Sequence, residues 1–215
     1  MKKVMIFLMF WAVSAVMAEQ VPVEVQRVID SAMAGKIPIM NDITSNAVLI
    51  GLDSGTKLSD LQAGQPIHLY GFNNDSLAKL DENAPVSSII KPLDGWAVPL
   101  LLHGKSRLLF LIINTPPTKK WHVTGLGYSG YATDWEKICQ IWPESAGYHP
   151  IFIGRLIGQA YFYIPEKGDK NLTRFTSSTH KSDNLDSLYA NLESSSFNLF
   201  KKVKHHVQPQ PAGGR

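Results

Sequence analysis

Gly95-Trp-Ala-Val-Pro-Leu-Leu-Leu102, His103-Gly-Lys-Ser106, Arg107-Leu-Leu-Phe-Leu-Ile-Ile113, Asn114-Thr-Pro-Pro-Thr118 and Lys120-Trp-His-Val-Thr-Gly-Leu126 follow one another along the chain. They read as three strands joined by two short turns, an antiparallel meander. The middle segment is apolar at nearly every position, the pattern of a strand covered on both faces. The third alternates Trp121 and Val123 with His122 and Thr124, the period of a half-buried strand. Pro99 cannot donate to a ladder, so the first strand is expected at an edge or bulged.

Working outward, Val25, Val28, Ile29, Ala32 and Met33 recur at helical spacing, which predicts a helix over about Val23 to Ala34 ended by Gly35. Asn41 to Asn46 is turn-rich, and Ala47-Val-Leu-Ile-Gly-Leu52 and Gln65-Pro-Ile-His-Leu-Tyr-Gly-Phe72 read as strands. On the other side, Thr133-Asp-Trp-Glu136 has the form of a capping box, in which threonine and glutamate satisfy each other's backbone amides at a helix start. Trp135, Ile138, Cys139 and Trp142 continue that helix, and Pro143 stops it.

Ile151 to Leu156 and Ala160 to Ile164 form a strand pair around Gly158, with Leu172 to Thr176 as a further strand. Leu185, Leu188, Tyr189, Leu192, Leu199, Phe200 and Val203 make a long helical stripe from about Asn184 to Val203, weakest at Ser194-Ser-Ser196. The expected fold class is α+β: a single twisted antiparallel sheet with a central three-stranded meander, flanked by an N-terminal, a middle and a long C-terminal helix.

The chain opens with Met1-Lys-Lys3, an apolar run from Val4 to Val13 and a small-residue stretch ending Val16-Met-Ala18. This is the pattern of a secretory signal peptide, because the run is too short to span a bilayer and Val16 and Ala18 suit the −3 and −1 pockets of a signal peptidase. Residues 1–18 are therefore read as a signal peptide, 19–204 as one α+β domain and 205–215 as a flexible tail, with the mature protein periplasmic or secreted. No later apolar run approaches the ~20 residues of a membrane span, so no transmembrane segment is expected in the mature chain.

Of 215 residues, 44% are hydrophobic and 18% charged, which excludes wholesale disorder and leaves one domain as the default. Removing residues 1–18 takes two of the 21 basic residues, leaving 19 against 18 acidic. Four of those 19 (Lys201, Lys202, Lys204 and Arg215) lie in the acid-free end, so the body is mildly acidic, which excludes a nucleic-acid face. The lone Cys139 leaves no intramolecular disulfide to staple the domain.

Gly125-Leu-Gly127-Tyr-Ser-Gly130 has dinucleotide-binding glycine spacing, but no acidic residue stands near position 150 for a ribose. It reads as a strand-to-helix turn, and it is not a hydrolase elbow because position 131 is Tyr131. Cys139 with His122 or His149 as base would suit a thiol hydrolase, yet its place on the Trp135 to Trp142 stripe favours a core thiol. The histidines show no local metal or haem spacing, and His205-His206 among lysines reads as a solvated basic helix end. Asp134 and Glu136 are close carboxylates, but the capping box employs Glu136. Trp96, Trp121, His122, Tyr128 and Tyr131 offer an aromatic binding patch around the meander.

These readings lead to an exported binding or interaction protein that takes a small ligand or an envelope protein through the sheet and the Gly125 to Tyr131 loop, with no cofactor or metal and no legible catalytic machinery. The thiol hydrolase is the alternative. Export is checked by intact mass of the secreted chain: its N-terminus should be Glu19, and an intact Met1 in the exported fraction would refute the signal-peptide reading.

Overall fold

The computed structural model describes residues 20–73, 85–117, 119–156, 159–168 and 172–173. Its strands are β1 (Leu61–Ala63), β2 (Ile67–Phe72), β3 (Ile90–Leu102), β4 (Lys105–Thr115), β5 (Lys120–Gly127), β6 (Ile151–Leu156), β7 (Gln159–Tyr163) and β8 (Leu172–Thr173). They form a single open sheet ordered β5-β4-β3-β2-β6-β7-β8, with β1 paired to β3 outside that path. The meander is β3-β4-β5, antiparallel throughout. The α-helices among the described residues are α1 (Val23–Met33), α2 (Pro38–Asn46), the short α3 (Val86–Ile89) and α4 (Ser129–Ile141). The protein is therefore mixed α and β with one open sheet.

Strand alternation divides the apolar side chains of the meander between two cores. Leu108, Phe110 and Ile112 of β4 join Trp96, Val98 and Leu100 of β3 against Val25, Ile29 and Ala32 of α1 and Met40 and Ile43 of α2. On the opposite face, Leu109 and Ala97 pack with Ala132 and Ile138 of α4 and with Phe152 and Phe162 of β6 and β7. A third cluster joins Val86 and Ile89 of α3 to Ile153, Tyr161 and Tyr163. Each fully buried large side chain contributes roughly 1.5–3 kcal/mol of transfer free energy, so the two-sided burial of β4 explains its unbroken apolar sequence.

Several expectations are corrected. The sheet is not wholly antiparallel: β2 and β6 run parallel, Leu69 opposite Phe152. Here α4 and the loop after it carry the chain from the β5 edge across to a strand beyond β2, the kind of crossover that parallel pairing requires. Residues 41–46 are helical rather than turn-forming, within α2, which starts with Pro38 in its first turn. Met40, Ile43 and Ala47 are buried at helical spacing, and this packing overrides the weak propensity of the intervening polar residues.

Residues 47–52 are not a strand. Local bonds from Ile50 N–H to the Asn46 carbonyl and from Leu52 N–H to the Ala47 carbonyl curl them into turns, completed by Gly51 at φ +90°. Ala47 and Leu52 are buried in the core and Ile50 packs against it half-buried, while Val48 and Leu49 are 67% and 85% exposed.

The capping box does not form either. α4 begins a turn earlier, after Tyr128 in the left-handed region, so Thr133 is interior and its hydroxyl donates to the Ser129 carbonyl at 3.0 Å. Glu136 instead accepts the Ser106 amide at 3.0 Å. β3 is an inner strand, and of the two expectations for Pro99 it meets the second, with a register shift between Leu100 and Leu101. The signal-peptide residues, the long helix read over 184–203 and the tail 205–215 lie outside the described residues.

Phe110 is fully buried at the centre of the meander. Phe110→Ala should cost ~3–5 kcal/mol through lost transfer energy and the cavity left behind, measured by urea unfolding. A loss under ~1 kcal/mol would show that the two-sided packing of β4 does not sustain the sheet.

Candidate functional site

The partners of β3 leave a notch. β1 pairs with β3 from Leu100 to Leu102 and β2 from Ile90 to Ala97, so residues 64–66 turn past Pro99 between them. The Gly64 N–H donates to the Pro99 carbonyl at 2.7 Å. In an extended strand a residue's N–H and C=O point to the same side, so the amide hydrogen that proline lacks would have faced this turn, where regular pairing with β1 ends. Proline and the break in β1–β2 pairing fit one another.

A groove of about 1000 Å³ passes through this notch, at the upper end of the range for ligand pockets. On the strand side, His68 stacks on Trp96 with ring centroids 4.7 Å apart at 17° and meets Tyr70 edge-on at 5.3 Å. The His68 ring is held by its Nε2, 2.7 Å from the Leu93 carbonyl, so the aromatic wall is braced by backbone. The opposite wall is α4 and the loop after it, which bring Trp135, Glu136, Cys139, Gln140 and Trp142 to the groove. Trp135 is steadied from beneath by Phe152 and Phe162, with centroids 6.2 and 6.1 Å away.

Two polar contacts set the position of these walls. Glu136 binds α4 to the start of β4 through the Ser106 amide, and Gln140 donates to its other oxygen at 3.3 Å. Beside it the Ser106 hydroxyl is buried without a hydrogen-bond partner among the described residues. At the rim, the His149 ring Nδ1 and backbone N–H both donate to Glu166, at 2.8 and 3.2 Å. Burial raises the Glu166 carboxyl, but these hydrogen bonds outweigh it and hold its pKa below the ordinary carboxylate value. The neighbouring Lys167 ammonium stands 4.8 Å from the centroid of the Trp142 ring.

Of the five residues of the aromatic patch, the structure brings only Trp96 to the groove, where it is 3% exposed. Trp121 packs, half-buried, on the α1 and α2 side. His122 faces outward on β5, its ring nitrogens 3.1 Å from the Lys120 carbonyl and 3.4 Å from the Thr115 hydroxyl. Tyr128 and Tyr131 stack on each other at 6.0 Å and 7°, and Gly125 leaves room for the Tyr128 ring, since a Cβ there would stand 2.8 Å from the phenol oxygen. None of residues 125–131 lines the groove.

Sequence reasoning passed over His68, Tyr70, Trp135 and Trp142 as site residues. The two tryptophans carry a helical core signature, and only the notch reveals that this core stripe has an open flank. Asp134 is buried while Glu136 faces the groove, as positions two apart on a helix must diverge.

Cys139 and His149 both line the groove, but no hydrogen bond joins them. Cys139 lies in the last turn of α4, at the negative end of the helix dipole. Burial, then Glu144 and Glu136, pushes its thiol up to about 11, away from the thiolate that nucleophilic catalysis needs. Among the described residues no three His, Cys, Asp or Glu side chains are grouped to hold a metal ion, and no helix is long and apolar enough to cross a membrane. Comparison with protein-family models, curated proteins and solved structures gave no match to this chain.

With its pKa near 11 against the usual 9.0, Cys139 should react with iodoacetamide about a hundredfold more slowly than a free thiol at pH 7.5, and the rate should climb through pH 9 to 11. Half-buried in the groove wall, Cys139 is not the core thiol expected from the sequence, and alkylation of the native protein at the free-thiol rate near neutral pH would overturn its assignment as a protonated, unreactive thiol.

Proposed function

We propose that this chain is an exported, non-catalytic binding protein whose ligand seat is the groove at the notch between β1 and β2. The supporting observation is the groove itself, with the stacked His68 and Trp96 on one wall and Trp135 and Trp142 on the other. Aromatic side chains supply large contact areas with few rotors to freeze, so a site built from them loses little entropy on binding. The bracing contacts of His68, Trp135 and Glu136 hold both walls in place before a ligand arrives. The signal-peptide pattern of residues 1–18 places such a protein in the periplasm or outside the cell.

A thiol hydrolase is the second reading, favoured by one observation: Glu166 orients His149 at the groove that also holds Cys139, as an acid orients the base of a catalytic triad. The raised thiol and the missing Cys139–His149 hydrogen bond weigh against it.

Indole NMR signals separate the groove from the rest of the protein, because Trp135 and Trp142 line it and Trp121 does not. In titrations with a panel of soluble amines, saccharides and aromatic acids, binders should shift Trp135 and Trp142 and leave Trp121 still. Trp135→Leu should weaken such a binder about tenfold, the effect of a central interface aromatic. A panel that leaves both groove indoles unmoved, or that moves Trp121 instead, would refute the proposal.

A further inference from the structure

The charge of the groove narrows its ligand. Among its lining residues are three carboxylates, Glu136, Glu144 and Glu166, and no lysine or arginine. Glu166 is engaged by His149, but among the described residues Glu136 receives uncharged donors alone, the Ser106 amide and the Gln140 side chain. Glu144, exposed at the rim, has no ion-pair partner among the described residues. Two carboxylates thus face a cavity that also carries the aromatic side chains of Tyr70, Trp96, Trp135, Trp142 and Tyr148. The π-faces of Trp and Tyr carry negative electrostatic potential of their own, so both features favour a positive guest and disfavour an anion.

The chain already supplies one example of this chemistry, because the Lys167 ammonium sits over the face of Trp142. Burial is the main reason the Cys139 thiol resists ionisation, and Glu144 and Glu136 add to it. The buried Ser106 hydroxyl, without a partner among the described residues, adds an uncharged oxygen beside Glu136.

Resting on the reading of the groove as a ligand site, we propose that it takes a small organic cation. This is a quaternary ammonium or a protonated amine on an apolar body, its head against the aromatic wall near Glu136 and Glu144. A neutral saccharide would also stack on tryptophan, but it gains nothing from uncompensated carboxylates and does not call for a groove free of lysine and arginine.

The test pairs choline with 3,3-dimethylbutan-1-ol, which has the same shape and no charge, and includes glucose, all titrated into the full chain while the indole signals are followed. Choline should shift Trp135 and Trp142 and bind at least about tenfold more tightly than its uncharged isostere. The double variant Glu136→Gln, Glu144→Gln keeps an oxygen to accept the Ser106 amide and should retain the native circular dichroism. It should bind choline about tenfold more weakly relative to the isostere, a ratio in which any loosening of the Glu136 brace cancels. Equal binding of choline and isostere, tighter binding of glucose, or an unaltered choline-to-isostere ratio in the double variant would overturn the cation assignment while leaving the groove as a ligand site. Silence of Trp135 and Trp142 toward every compound would overturn both.

Discussion

Leu108, Phe110 and Ile112 point to one face of β4 and Leu109 to the other, and all four are fully buried. A strand in this condition needs a cover on each side, and the chain supplies α1 and α2 on one and α4 on the other. The layer order follows from that demand. α4 has to cross the sheet to reach its place, and in doing so it delivers β6 to the free side of β2 and creates the parallel β2–β6 pair. The sheet is mixed because the helix that closes the second face of β4 carries the chain on to the far side of β2.

The groove follows from a second constraint, the proline in β3. A strand inside a sheet tolerates Pro99 only where no neighbour asks for its amide hydrogen, and the gap between β1 and β2 is such a place. The gap leaves the flank of the α4 core open, which turns Trp135 and Trp142 from ordinary core residues into the wall of a groove. Glu136 is the brace between the two parts. It spans 30 residues of sequence to hold the first turn of β4 against the helix, and an ionised acceptor strengthens such a bond.

The same geometry weighs on the chemistry available. A thiol near the C-terminal end of a helix, flanked by glutamates, stays protonated at neutral pH, whereas catalytic cysteines sit in electropositive surroundings. Burial does most to keep the Cys139 thiol protonated, and Glu144 and Glu136, the carboxylates on which the proposed cation preference rests, add to it.

The sequence by itself determined the elements whose periodicity reports burial directly. The meander, α1 with Val25, Ile29 and Ala32 on its inner face, β2 and the β6–β7 pair all carry their solvent exposure in their residue pattern. It misread 41–46 and 47–52, where helix and turn are chosen by what Met40, Ile43, Ala47 and Leu52 pack against, not by the polar or apolar residues between them. The Thr133 capping box met its spacing rule, but the helix had already started at Ser129, and Glu136 found a stronger claim on it across the sheet. The groove was decided by tertiary structure alone. His68 with Trp96, and Trp135 with Glu136 and Cys139, come from segments far apart in the chain and face one another only because β3 interrupts its own pairing at Pro99. No local spacing records a gap between strands, since the gap is a property of which strands meet.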